Sequence, residues 1–81
     1  MQVAVDISLY PLDADFIPPI KDVIKRLSQH DGVAVEYNRM STQLRGDYDT
    51  VVPALMQEIR TTFDNVPKAV FTIKILNNPI N

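Results

Sequence analysis

The stretch VAVDISLYPLDADF, Val3 to Phe16, decides the fold. Its first half places an apolar residue at every second position, which is typical of a strand with one buried face. These apolar positions are Val3, Val5, Ile7 and Leu9. Pro11 ends the pattern, and we expect Asp13 or Asp15 to cap the helix that follows. The stretch therefore predicts a strand that passes through a turn into a helix.

The first helix has clear start and stop signals. Pro18 and Pro19 fall in its first turn, where the missing N–H groups cost least, and Asp31-Gly32 should stop it. Its apolar residues recur at the i, i+3, i+4 and i+7 spacing of one helix face. They are Ile20, Val23, Ile24 and Leu27.

The middle of the chain predicts a hairpin and a second helix. Residues 33–40 and 40–46 alternate as two strands, with a tight connection around Asn38-Arg39. Asp47 or Asp49 can cap the helix that follows. We expect the inner face of that helix to carry Val52, Leu55, Met56, Ile59 and Phe63.

A last strand alternates from Lys68 to Leu76, and a polar tail, Asn77–Asn81, follows it. The order strand, helix, strand, strand, helix, strand is the split βαβ or ferredoxin-like pattern. Right-handed crossovers then put both helices on one face of the sheet. We therefore expect residues 1–81 to form one α+β domain, a four-stranded antiparallel sheet with two helices on one face.

The second face of the predicted sheet carries a mixed row of side chains. It should present Asp6, Ser8 and Tyr10 from the first strand and Thr72 and Lys74 from the last strand, with apolar patches at Val70, Leu76 and Tyr37. For the third strand, alternation leaves two sets open, either Ser41, Gln43 and Arg45 or Met40, Thr42 and Leu44. A copy of the same sheet could cover such a face, so we expect a homo-oligomer, either a dimer or a tetramer.

The composition limits the classes of function. The chain has no cysteine, which excludes disulfides, thiol nucleophiles and zinc sites built on cysteine. Its formal net charge of −2 argues against a nucleic-acid partner. No apolar run has the length of a membrane span, and the N-terminus lacks a signal-peptide pattern. We expect a cytoplasmic protein that inserts in no membrane and uses no metal and no cofactor.

The predicted elements carry no recognisable catalytic machinery. An RNA-recognition module would need aromatic residues where the first strand has Asp6 and Ser8. An acylphosphatase-like hydrolase would need a basic, glycine-bearing loop, but residues 11–15 are acidic. We expect His30, the only histidine, to be solvated at the end of the first helix, where it activates no nucleophile. These patterns favour a protein that is not an enzyme.

Three segments resemble a known family of small domains. They are SLYPL (Ser8–Leu12), DADF (Asp13–Phe16) and STQLRGDYDTV (Ser41–Val51). Together they resemble the thiamine-binding protein family, ferredoxin-like domains that bind thiamine or its hydroxymethylpyrimidine half. The resemblance implies a non-catalytic binder in vitamin uptake or handling, assembled as a dimer or tetramer. It implies as ligand-binding residues Ser8, Tyr10, Ser41, Thr42 and Arg45.

The chemistry of these segments suits such a ligand. An aminopyrimidine has an amino donor beside ring-nitrogen acceptors, which hydroxyl groups can match, and Tyr10 and Phe16 could cover its ring. The positive charge of a thiazolium could be favoured by Asp6, Asp13 or Asp15.

Two other readings stay open. The open sheet face could serve only to assemble copies of the chain or to bind a protein partner, without any small-molecule ligand. A regulatory amino-acid-binding module of the same topology is a weaker hypothesis. Such modules bind at glycine-bearing turns between a strand and a helix, and the turn after the first strand lacks glycine.

Overall fold

The computed structural model describes residues 1–79 and contains six elements. They are β1 (Gln2–Pro11), α1 (Ile17–Ser28), β2 (Ala34–Tyr37), β3 (Thr42–Asp47), α2 (Tyr48–Asn65) and β4 (Ala69–Asn77). The predicted order of strands and helices is confirmed. Ile80 and Asn81, the end of the predicted polar tail, lie outside the described residues.

The four strands form one antiparallel sheet in the order β2-β3-β1-β4, which with the two helices is the predicted ferredoxin-like α+β fold. In the register, Ile7 lies opposite Thr42 on one side and opposite Ile73 on the other. This register decides which face each residue of β3 occupies. Thr42 is buried on the helix side, whereas Gln43 and Arg45 lie on the open side.

The hydrophobic core lies between this sheet and the two helices. The helix-facing row of β1 is between 1% and 8% exposed and consists of Val3, Val5, Ile7 and Leu9. Val23 and Leu27 of α1 and Leu55 of α2 cover it, so the predicted inner face of α1 is confirmed. Burying each side chain of this size stabilises the fold by about 1.5–3 kcal/mol.

The start of α1 differs from the prediction. Phe16 occupies the position before the helix, and within residues 1–79 no side chain caps it. Asp13 instead closes the preceding turn, since its Oδ1 accepts the backbone N–H of Asp15 at 3.2 Å. The expectation that Asp13 or Asp15 caps α1 is therefore wrong, because the Asp13 carboxylate bonds within the turn and Phe16 takes the capping position.

Specific turn residues lead the chain from α1 into β2 and from β3 into α2. α1 ends at Ser28, slightly before the predicted stop, and Gly32 at a φ of +81° turns the chain into β2. Asp47 caps α2 as predicted, with its Oδ2 accepting the N–H of Asp49 at 3.1 Å. These turns bring Thr50, in the first turn of α2, against Gly32, where an added Cβ would lie 3.1 Å from Thr50 Cγ2.

The inner face of α2 is rotated from the predicted one. Its buried residues are Val51, Ala54, Leu55, Glu58 and Thr62. Leu55 was predicted correctly, and Ile59 packs partly against the core, but Met56 and Phe63 are 48% and 51% exposed. The predicted apolar row lies toward β4, where the rings of Phe63 and Phe71 meet edge to face at 5.7 Å. The rotation places Glu58, a charged residue, on the inner face of the helix.

Glu58 lies in a hydrogen-bonded network between the two helices. Arg26 Nε donates to Glu58 Oε1 at 2.8 Å, and His30 Nε2 donates to Glu58 Oε2 at 2.6 Å. Arg26 also donates to Thr62 Oγ1 at 2.6 Å and to the carboxylate of Asp22. The expectation that His30 is solvated is therefore wrong, because its ring is 25% exposed and binds a buried carboxylate. The network ties α1 to α2.

The network sets the charge state of Glu58. Burial raises the pKa of Glu58, but the hydrogen bonds and positive charges of His30 and Arg26 outweigh burial and hold the pKa below its ordinary value. The ionised carboxylate therefore stabilises the fold above its ordinary pKa of 4.5. This contribution is lost as the pH falls through the lowered pKa of the folded state.

Removing this carboxylate tests the network. Glu58→Gln should lower the free energy of unfolding at pH 7 by about 3 kcal/mol, because Arg26 and His30 lose their buried anion. The difference from the wild type should shrink as the pH falls below 4.5. Urea denaturation between pH 7 and pH 3 measures it, with the exposed Glu36→Gln as the control that changes little. A difference that stays constant over this range would contradict the role of Glu58.

No helix among residues 1–79 is both long enough and apolar enough to cross a membrane.

Candidate functional site

A cavity of about 430 Å³ opens where β1 ends, between α1 and the β2–β3 turn. Small-molecule sites typically have volumes of about 300–1,000 Å³. The lining comes from residues 7–12, from Phe16 and the first half of α1, and from residues 38–42. Three segments that are distant in sequence therefore meet at one end of the sheet.

Asn38 positions the turn that forms one wall. Its Oδ1 accepts the backbone N–H groups of Met40 at 2.8 Å and Ser41 at 3.1 Å. Its own N–H donates to the carbonyl oxygen of Ser41 at 3.1 Å. Asparagine favours such turns because its short side chain bonds to the backbone just ahead. The predicted connection at Asn38-Arg39 is confirmed, and it places Ser41 and Thr42 beside the end of β1.

The cavity has an apolar floor and an exposed apolar mouth. Ile7 and Val23 form part of the floor and belong to the core. At the mouth, Tyr10, Phe16 and Met40 are 53%, 51% and 84% exposed. Apolar side chains clustered around a concave site can cover the ring of a ligand. The site therefore has an apolar floor and aromatic side chains at its mouth.

Four of the five predicted ligand-binding residues line this cavity. They are Ser8, Tyr10, Ser41 and Thr42. Thr42 is buried and faces the helices, whereas the other three belong to rows that face away from them. The cavity thus reaches both sides of the sheet at its end. It does not include Arg45, which the structure places apart from the other four.

Arg45 lines a second cleft, of about 400 Å³, on the open sheet face. Asp6, Gln43 and Lys74 also line it, and Gln43 Nε2 donates to Asp6 Oδ1 at 3.1 Å and to Ser41 Oγ at 2.7 Å. Hydrogen bonds from Ser41 and Gln43 lower the pKa of Asp6, and the charge of Lys74 adds to this effect against some desolvation. Within this cleft, Asp6 and Gln43 are therefore bonded to each other.

The charged side chain that lines the first cavity is positive, whereas the sequence predicted carboxylates there. Among residues 1–79 no carboxylate lines it, and Arg39 is its charged lining residue. Asp6 faces the other cleft, while Asp13 and Asp15 lie in the turn outside the lining. Asn38 and Arg39 were missed as site residues. Their position in a predicted turn beside the Ser41-Thr42 pair was the signal that could have identified them.

The chain is similar to several solved structures. A hypothetical protein of Methanocaldococcus jannascii is 28% identical, with 99% of this chain and 84% of that chain covered and a TM-score of 0.83. A Streptococcus pneumoniae protein is 22% identical, with 99% and 90% covered and a TM-score of 0.89. A Thermotoga maritima protein with a proposed role in thiamine biosynthesis or salvage is 19% identical, with 93% and 82% covered and a TM-score of 0.81. These likenesses support the fold.

The family is shown by a match along nearly the whole chain. No curated protein matches the chain significantly. The model of the YKOF-related family, however, matches residues 2–79. That range includes all three segments that line the cavity. The chain therefore belongs to the YKOF-related family.

Proposed function

We propose that this protein binds thiamine or its hydroxymethylpyrimidine half in the cavity at the end of β1, without catalysis, in uptake or handling of the vitamin. The observation that carries the proposal is the meeting of Ser8, Tyr10, Ser41 and Thr42 at one cavity of ligand size. The sequence resemblance implies a ligand-binding role for the same four residues. The proposed thiamine role of the Thermotoga maritima protein is in line with this proposal.

The lining suits the pyrimidine half best. The hydroxyl group of Thr42 can donate and accept, as an amino group beside a ring nitrogen requires, whereas that of Ser41 donates to Asp6 and offers an acceptor. Tyr10 and Phe16 offer ring surface at the mouth. Arg39 disfavours the cationic thiazolium, and no carboxylate among the described lining residues offsets it. We therefore expect hydroxymethylpyrimidine to bind at least as tightly as thiamine.

A binding role without catalysis fits the same lining. Hydroxyl nucleophiles need an adjacent base, and none of the lining residues in the described part of the chain is a histidine or a carboxylate. His30 lies outside the cavity and binds Glu58. The proposal therefore assigns the cavity to recognition of the ligand.

Removing two hydroxyl groups tests the site. Ser41→Ala combined with Thr42→Val should weaken binding of hydroxymethylpyrimidine about tenfold or more, because each lost hydrogen bond costs about 0.5–1.5 kcal/mol. Calorimetric titration measures the affinity, and thermal unfolding should show a raised melting temperature with ligand only where binding persists.

Two control variants make this test specific. Ser28→Ala with Thr61→Val removes hydroxyl groups that bond only to carbonyl oxygens of their own helices, and it should bind as the wild type does. Arg45→Ala changes a residue outside the first cavity and should leave the affinity unchanged. If Arg45→Ala abolished binding while the Ser41 and Thr42 variant retained it, the open sheet face would hold the ligand instead.

The open sheet face favours a second candidate function, self-association. Tyr10, Val70 and Leu76 are 53%, 49% and 57% exposed on this side of the sheet. A small domain that covers one sheet face can bury the other against a copy of itself. We propose that copies pack sheet to sheet as a dimer or tetramer, which would remain as an interaction or structural role if no ligand binds.

Charges on the open face test this association. Val70→Lys with Leu76→Lys should lower the mass of the assembly measured by light scattering, because lysine would have to be buried at the interface. Gln29→Lys with Gln57→Lys adds the same charge at exposed positions just after α1 and on α2, and it should leave the mass unchanged. An unchanged mass for the Val70 and Leu76 variant would contradict packing through this face.

A further inference from the structure

β1 extends beyond the strand that pairs with it on the cavity side. The last pair between β1 and β3 is Ile7 opposite Thr42, whereas β1 stays paired with β4 to its own end. In a continued register Met40 would lie opposite Leu9, but the Met40 N–H donates to Asn38 Oδ1 at 2.8 Å. The β2–β3 turn therefore leaves one side of β1 without a neighbouring strand, next to the cavity.

The hydrogen bonds between β1 and β4 show which backbone groups face the cavity. Leu12 N donates to the carbonyl oxygen of Lys68 at 3.0 Å, and Asn78 N donates to that of Gln2 at 3.2 Å. Both pairs continue the register of the two strands, and hydrogen-bonded pairs recur at every second residue of an antiparallel ladder. Even-numbered residues of β1 therefore bond to β4, and the N–H and C=O groups of Leu9 point to the cavity side.

Leu9 thus offers one donor and one acceptor to the cavity that it lines. It is 8% exposed, and within residues 1–79 no strand or turn bonds to this side of its backbone. Pro11, the next residue that faces this side, has a carbonyl oxygen but no N–H group. A buried backbone group without a partner costs free energy, and a ligand that supplies the partner recovers it.

The wall across the cavity has its backbone groups occupied. The N–H groups of Met40 and Ser41 both donate to Asn38 Oδ1, and the carbonyl oxygen of Ser41 accepts the N–H of Asn38 at 3.1 Å. These groups are satisfied within the turn. The backbone edge that a ligand can use is therefore that of Leu9.

We propose that the backbone of Leu9 recognises the pyrimidine, which takes the place of a paired strand. The ring nitrogen beside the amino group accepts the N–H of Leu9, and the amino group donates to its C=O. The ring then lies in the plane of the sheet, with Ile24 of α1 on one side and Tyr10 on the other. The second ring nitrogen and the second amino hydrogen remain for the hydroxyl groups of Ser41 and Thr42.

This binding mode defines the class of ligand. It requires a planar heterocycle with an amino group beside a ring nitrogen, because those two groups match one donor and one acceptor of a single residue. The inference rests on the proposed function, since it assigns the contacts of the pyrimidine in the same cavity.

A deaminated ligand tests the pairing from the ligand side. Replacing the amino group of hydroxymethylpyrimidine by an oxo group puts a ring N–H opposite the N–H of Leu9 and an oxygen opposite its C=O. Both contacts then become repulsive. Calorimetric titration should show binding about a hundredfold weaker than that of hydroxymethylpyrimidine. Equal affinities would overturn the proposal.

An ester bond in place of the Leu9 amide, introduced by chemical synthesis, tests the residue itself. It removes the N–H group and keeps the side chain. The matched control is an ester at Tyr37, since Asn38 N bonds to Ser41 in the β2–β3 register and the Tyr37 N–H therefore points to the outer edge of β2. The Leu9 ester should bind hydroxymethylpyrimidine about tenfold more weakly than the Tyr37 ester.

The affinity of the wild type separates this inference from the proposed function. If the wild type binds hydroxymethylpyrimidine and the two esters have equal affinities, the Leu9 assignment is wrong and the proposed function stands. If the wild type does not bind it, both are wrong.

Hydrogen exchange of the wild type tests the contact even if the esters fail to fold. With saturating hydroxymethylpyrimidine the Leu9 amide should gain protection, whereas that of Tyr37 should not. Unchanged exchange of the Leu9 amide in the saturated protein would overturn the proposal.

Discussion

Burial of the helix-facing row of β1 is the interaction on which both the core and the candidate site depend. β1 pairs with β3 on one side and with β4 on the other, and its row from Val3 to Leu9 forms the centre of the core. Because side chains alternate along a strand, burial of this row directs Asp6, Ser8 and Tyr10 to the sheet face that points away from the helices. A shift of one residue would bury all three and expose the core row. The strand that anchors the fold thus also brings residues to the cavity.

Glu58 adds a second constraint, on the helices. A buried carboxylate must be paired, and Arg26 and His30 of α1 supply both partners. With Glu58 on the inner face of α2, Met56 and Phe63 lie outside the core, and Phe63 packs edge to face on Phe71 of β4. The polar network between the helices therefore lies inside the fold, whereas part of the predicted apolar row is exposed.

Local patterns predicted the six elements and their order, because periods of two and of about 3.6 residues are visible in sequence. They misplaced the face of α2, since the partners of Glu58 lie 28 and 32 residues away. The family resemblance placed Thr42 and Arg45 in one ligand site, although residues three positions apart on one strand face opposite sides of the sheet. That separation could have been predicted. The predicted turn beside Ser41 and Thr42 also pointed to Asn38 and Arg39, whereas the meeting of that turn with α1 at one cavity depends on tertiary packing that no local pattern shows.

Nuclear magnetic resonance of the labelled protein with hydroxymethylpyrimidine tests the central claim most directly. Ligand binding in the cavity predicts saturable chemical-shift changes of the amides in residues 8–10 and 38–42, together with those of Leu12 and Phe16. Residues of the other cleft, such as Gln43, Arg45 and Lys74, should change little. Changes concentrated on those residues, or none at millimolar ligand, would contradict binding at the end of β1.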